Sequence, residues 1–183
     1  MPKRLDITEA APPAIPPLRV YKFPEAQEAM VGPELTVYLA RQITGLSFAE
    51  VEAAYEELKS KVSALGFKVL QAMVGKKDLA GQRNLGACGI GRPLSTDHAI
   101  AQRDRWMVRQ SDLVLMDLRG TTRISIGCCM ELAWAFEMGK HNIVVMEKDN
   151  PHHHAFVHDC AHVIYETLED ALNYMGKLAR QEI

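Results

Sequence analysis

Between Arg119 and Lys140 the chain places Ser125, Gly127 and Glu131 at the mouth of an otherwise apolar run, Met130, Leu132, Ala133, Trp134, Ala135, Phe136 and Met138, which closes on Gly139. A helix entrance offers unpaired N–H groups and roughly half a positive charge, so it suits an anion, and a carboxylate one turn inside stays ionised and aimed. Phosphate recognition and a carboxylate nucleophile share one turn on this reading. The plainer alternative is a first-turn Glu131 that only complements the helix dipole.

Asp104 is a second carboxylate, placed by Ile100 and Val108 on the inward stripe of its own helix. It serves either catalysis or a salt bridge to Arg103, Arg105 or an arginine across the turn. Asp117 ends an apolar run and either orients a ligand hydroxyl or caps the turn that follows. Two carboxylates on one crevice suit chemistry at an anomeric carbon, one as nucleophile and one as acid, when they lie roughly 5 Å apart. Tyr38 either hydrogen-bonds such a nucleophile or packs in the core with its hydroxyl at the edge. Arg41, Arg119 and Arg123 sit in polar turns, where they neutralise a phosphate or remain solvated.

His152, His153, His154, His158, Cys160 and His162 crowd one segment. Their spacing matches no zinc or iron motif, so surface or substrate-contact histidines are expected and no metal or other cofactor is.

The elements that must hold these residues alternate strand and helix. Strands are expected at Leu35–Ala40, Phe67–Met73, Asp112–Leu118, Asn142–Met146 and His162–Tyr165. Helices are expected after the Ser47 cap, with Phe48, Val51, Tyr55, Leu58, Val62 and Leu65 inward, at about 96–110, up to Gly139, and over about 168–180. Apolar runs such as 113–116 and 143–146 argue a parallel sheet covered on both faces. The expected fold is a flavodoxin-like (Rossmann-like) doubly wound α/β sheet of order 2-1-3-4-5 with helices on both faces. Ligands then sit outside the carboxyl ends of strands one and three, where Arg41–Gly45 and Arg119–Gly127 fall. Residues 75–95 hold Gly75, Gly81, Gly86, Gly89, Gly91 and Pro93, which marks a candidate lid.

The 183 residues suit one catalytic domain, 34–183, behind an extended arm, 1–33, that contains seven of the nine prolines. With 48% apolar and 24% charged residues and a net charge of -2, neither a disordered body nor a nucleic-acid partner is expected. No apolar run is long enough to span a membrane. Cys88, Cys128, Cys129 and Cys160 lack metal spacing and read as reduced thiols of a cytoplasmic protein.

Three pieces of the chain together resemble the nucleoside 2-deoxyribosyltransferase family, including its nucleoside 5'-monophosphate N-glycosidase branch. They are Val37-Tyr-Leu-Ala-Arg-Gln-Ile-Thr-Gly45, Arg103-Asp104 through Ser111 to Asp117, and Ser125-Ile-Gly-Cys-Cys-Met-Glu131 with Gly139-Lys140. The resemblance implies that Glu131 attacks C1' of the sugar, that Asp104 assists base departure and holds the sugar, and that Tyr38 positions Glu131. Where transferases for free nucleosides resemble one another in an Asp that grips the 5'-hydroxyl, this chain has Ser125. A serine donates to phosphate and an Asp repels it, so a nucleoside 5'-monophosphate is the implied substrate. Arg41, Gln42, Ile43, Thr44, Gly45, Gly127 and Asp117 would surround it.

The family's shared active sites imply a homodimer or larger homo-oligomer, with His154 and Phe156 reaching in from a neighbouring subunit. Arg41 departs from a small Gly usual in the first loop, and residues 75–95 exceed the family's short members. Hydrolysis of the nucleotide is the leading expectation. Base exchange on free deoxynucleosides, a nucleotide-binding module without turnover, and a metal-dependent hydrolase using the histidines are the competing ones.

Overall fold

A computed structural model describes residues 34–86 and 92–183. The Pro-rich arm, and Cys88, Gly89 and Gly91 of the candidate lid, lie outside the described residues. In chain order come β1 (Thr36–Arg41), α1 (Phe48–Ser63), β2 (Lys68–Gln71), α2 (Asp97–Gln110), β3 (Leu113–Asp117), α3 (Ile126–Glu137), β4 (His141–Val145), α4 (Ala155–Cys160), β5 (Val163–Tyr165) and α5 (Leu168–Ala179). The sheet is parallel throughout, in the order β2-β1-β3-β4-β5.

Every residue of β3 is buried. Successive strand residues point to opposite faces, so burial of all of them requires cover on both sides. β1 and β4 are likewise buried through their middles, and Leu39, Leu115 and Ile143, adjacent in register, have no exposed surface. This central sheet is the rigid platform for the loops at its carboxyl edge.

Capping explains where the helices begin. Ser47 and Glu50 form a reciprocal capping box on α1, and Thr96 and Thr167 accept backbone N–H groups at the starts of α2 and α5. α1 presents Phe48, Val51, Tyr55, Leu58 and Val62 to the core, and Gly66 follows it in the left-handed region.

Some elements differ from the sequence expectation. β2 is shorter than the apolar run around it because Ala72 and Met73 turn away into a loop whose Val74 and Lys76 amides bond back to Gln71 and Met73 carbonyls. The His-rich connection contains α4, whose start is capped by the His154 side chain. The described part of 75–95 is tied down: Gly45 donates to the Leu85 carbonyl at 2.8 Å, Leu85 to Leu46 at 2.8 Å and Phe48 to Gln82 at 2.9 Å. The loop after β1 is therefore braced by residues 82–85.

Candidate active site

β1, α2 and α3 bring Tyr38, Asp104 and Glu131 together under the carboxyl edge of the sheet. The Tyr38 hydroxyl donates to Glu131 Oε1 at 2.8 Å, with both side chains buried. Glu131 lies six residues beyond the Ser125 cap, in the second turn of α3, so dipole complementation is not what holds it. Burial, then the neighbouring Asp104 carboxylate, push its pKa up to about 8, against the Tyr38 hydrogen bond and the Lys76 charge that lower it.

Asp104 is only 6% exposed and takes its ion pair from Lys76, whose Nζ is 3.0 Å from Oδ2. The expected arginine partners, Arg103 and Arg105, do not fill that role. Lys76 itself is 4% exposed. Nothing in the sequence distinguished it from the exposed Lys77 beside it; the available signal was its place in the loop after β2, at the sheet edge where ligands bind. Burial raises the Asp104 pKa although Lys76 pulls it down. Its second oxygen, Oδ1, is buried with no hydrogen-bond partner. An unpaired buried acceptor is costly, and a substrate donor would remove that cost.

Asp117 is fully buried and gathers arginines from both crevice loops. Arg119 binds it in bidentate fashion, Nε to Oδ1 at 2.8 Å and Nη2 to Oδ2 at 3.0 Å, and Arg41 Nη1 lies 3.5 Å from Oδ2. The Arg119 amide also donates to Asp117 Oδ1 at 3.3 Å, closing the turn. The result is a cluster of guanidinium groups at the crevice, which Glu147 and Glu57 partly offset at Arg119. Arg123 adds to it: Nη2 donates to the Thr44 carbonyl at 3.2 Å, and its guanidinium fills the space over Gly45, where a Cβ would come within 1.6 Å. Gln42 Nε2 closes the same loop on Thr44 O at 2.9 Å, and Ile43 packs against the core.

At the α3 entrance the Ser125 hydroxyl accepts weakly from the Cys128 amide at 3.4 Å, and the exposed Ile126 and Gly127 supply first-turn amides. The Ser125 amide donates to His152 Nε2 at 2.8 Å. Nε2 is therefore the acceptor of that ring, and the proton sits on Nδ1, 2.9 Å from Asn150 Oδ1. Burial lowers the His152 pKa, which keeps this neutral tautomer. His152 thus orients the α3 entrance of its own chain, a task the sequence did not reveal.

His153 pairs with His158, and His141 and His162 stack beside Tyr174. Among the described residues no group of three or more His, Cys, Asp or Glu is arranged to hold a metal. His154 and Phe156 are exposed and pack edge to face at 5.2 Å. Burial, then the Glu131 charge, push the Cys128 thiol far above its usual range, which keeps it in the unreactive thiol form.

A buried carboxylate oriented by a tyrosine, a second carboxylate with one free oxygen, and a cationic helix entrance can together hold a phosphorylated sugar and attack one of its carbons. The family model for nucleoside 2-deoxyribosyltransferases matches residues 37–175. Of solved structures, a 2-deoxyribosyltransferase from Bacillus psychrosaccharolyticus is similar with a TM-score of 0.54 and 16% identity, over 76% of this chain and 91% of that one. The Clostridium botulinum CMP N-glycosidase BcmB has a TM-score of 0.47 and 16% identity, over 76% of this chain and 96% of its own. No curated protein sequence matches significantly.

Proposed function

This chain belongs to the nucleoside 2-deoxyribosyltransferase family, a family of enzymes, and within it we propose that it hydrolyses the N-glycosidic bond of a (2'-deoxy)nucleoside 5'-monophosphate. The observation that carries the reading is the buried Tyr38–Glu131 hydrogen bond beside Asp104. Glu131 attacks C1', the C1'–N bond breaks with its electron pair going to the base, and a glycosyl ester forms on Glu131. Asp104 passes a proton from Oδ1 to the departing base. Water then attacks C1' of the ester, frees the Glu131 carboxylate and returns a proton to Asp104, so configuration is retained overall.

Ser125, Gly127 and the loop Arg41, Gln42, Ile43, Thr44 and Gly45 take the 5'-phosphate, with Asp117 setting the arginines around it. Support comes from the gathering of Arg41 and Arg119 on Asp117 and from a hydroxyl, in place of a carboxylate, at the α3 cap. Base exchange on free deoxynucleosides is the second reading, favoured by the activity for which the matched family is named. The Ser125→Asp variant separates the two. Monophosphate cleavage should fall by tenfold or more through charge repulsion, with any nucleoside activity spared; equal loss on both substrates would remove Ser125 as the selector.

The enzyme acts as a homodimer or larger homo-oligomer in which His154 and Phe156 reach a neighbour's site. Support is the 77% exposure of Phe156 together with exposed Ile124, Ile126 and Met130 around the α3 entrance, an apolar surface suited to burial. The free thiols of Cys128, Cys129 and Cys160 support a reducing, cytoplasmic setting. No described helix is long and apolar enough to cross a membrane.

A further inference from the structure

We infer that Lys76 is a positioning residue of the reaction: its ammonium fixes Asp104 and stabilises the negative charge that passes from Glu131 to Asp104 as the base leaves. The inference rests on the proposed glycosidase reading. Lys76 is buried, and its Nζ lies 3.0 Å from Asp104 Oδ2. The loop after β2 holds it there from both sides. Gly75 turns in the left-handed region at φ 74° with the Arg103 guanidinium against it, and the Lys76 amide donates to the Met73 carbonyl at 3.1 Å. The Lys76 carbonyl accepts from the Leu79 amide at 3.0 Å. Buried Leu79, and a hydrogen bond from the Ser95 hydroxyl to Asp78, anchor the residues that follow.

Stability alone does not account for such a pair. Burying two ions costs desolvation that their attraction barely repays, and apolar side chains of similar volume serve a fold as well or better. Lys76 instead sits where charge must move. The groups that act on the two carboxylates are Lys76 and Arg103 on Asp104, and Tyr38, Asp104 and Lys76 on Glu131, with Tyr55 and Cys128 feeling Glu131 in turn. Lys76 is the cation that acts on both, and it touches Asp104.

In the first step Glu131 begins as an anion and ends as a neutral ester, while the proton of Asp104 goes to the departing base and leaves Asp104 as the anion. The charge finishes on the carboxylate that Lys76 touches, so the ammonium favours the end of the step over its start. When water attacks the ester, Asp104 takes a proton back and Glu131 regains the charge. Lys76 also lowers the pH at which either carboxylate ionises.

The test compares wild type with Lys76→Met, which keeps length and loses charge, and with Lys76→Ala, whose cavity admits added ethylamine; thermal melts confirm folding of each. With the nucleoside 5'-monophosphate that wild type cleaves, Lys76→Met should slow single-turnover base release roughly tenfold or more, while Kd in the Glu131→Gln background stays within about threefold. Both limbs of its pH profile should move to higher pH, by about one pH unit or more. Ethylamine should speed release by Lys76→Ala and not by Lys76→Ala combined with Asp104→Asn. A second readout needs no turnover: in Glu131→Gln protein, the carboxyl infrared band that Asp104→Asn removes should titrate at higher pH once Lys76→Met is added. An unmoved band and pH profile, a loss confined to binding, or ethylamine rescue that persists without Asp104 overturns the inference. A band that moves in a protein releasing no base from any nucleotide supports the hold of Lys76 on Asp104 and removes the glycosidase reading. Base release with the band and the pH profile unmoved does the reverse.

Discussion

The protonation state of Glu131 controls whether it can act. With its pKa pushed up to about 8 by burial and by Asp104, only the ionised fraction is nucleophilic at neutral pH. We therefore expect kcat/KM to rise with pH as Glu131 ionises and to fall again where Asp104, the proposed acid, loses its proton. Tyr38→Phe removes a hydrogen bond that lowers this pKa and should move the rise to higher pH; Asp104→Asn removes a charge that raises it and should move the rise lower, with slower turnover in both. The same shift has a stability consequence. A folded pKa above the unfolded value of 4.5 means that the native state holds an extra proton between the two, so its benefit is complete below 4.5 and lost as pH rises through 8. Glu131→Gln should accordingly be more stable to urea unfolding than wild type at pH 9, by on the order of a few kcal/mol, with the difference shrinking toward pH 4; no alkaline gain would mean that Glu131 is not buried as a charge. The pairing of Tyr38 with Glu131 was implied by the family resemblance, whereas the residues alone left Tyr38 between that role and a core aromatic, because a tyrosine inside a buried strand suits either. Lys76 was not legible, since burial of one of two adjacent lysines in a glycine-rich stretch depends on tertiary packing and leaves no periodic trace.

At the scale of elements, the α3 entrance is held by a loop rather than by its own residues. His152 accepts from the Ser125 amide and donates to Asn150, while Asn150 Nδ2 reaches the Leu118 carbonyl at 2.7 Å. His152→Ala leaves the Ser125 amide unpaired, and we expect a loss of roughly 1–3 kcal/mol in urea unfolding with weaker phosphate binding. Because burial lowers the His152 pKa, the native state resists the proton that the unfolded chain accepts. Stability should fall as pH drops below 6.5, more steeply in wild type than in the Ala variant; parallel profiles would contradict the assigned tautomer. The five strands and four of the five described α-helices were readable from apolar runs and caps. α4 was not, because six residues beginning at a histidine cap show no apolar period. The 75–95 stretch reads as a lid from its glycines, yet its hydrogen bonds to Gly45 and Phe48 are partners that spacing alone does not reveal.

Across the whole molecule, the candidate catalytic groups and the proposed phosphate loops line one edge of a five-stranded sheet, and exposed Ile124, Ile126, Met130 and Phe156 lie at the α3 entrance and on α4. If a neighbour completes the site there, Phe156→Asp should shift the protein toward monomer in sedimentation and raise KM several-fold; an unchanged mass and KM would leave the site complete within one chain. The central claim is that Glu131 carries the sugar. The most direct measurement is rapid-quench mass spectrometry of the intact enzyme mixed with its cleaved nucleoside 5'-monophosphate, with base release followed by chromatography. The account predicts a transient adduct of one sugar phosphate, mapped to Glu131, and loss of both adduct and base release in Glu131→Ala. Base release by Glu131→Ala at the wild-type rate, or an adduct on another residue, would contradict it.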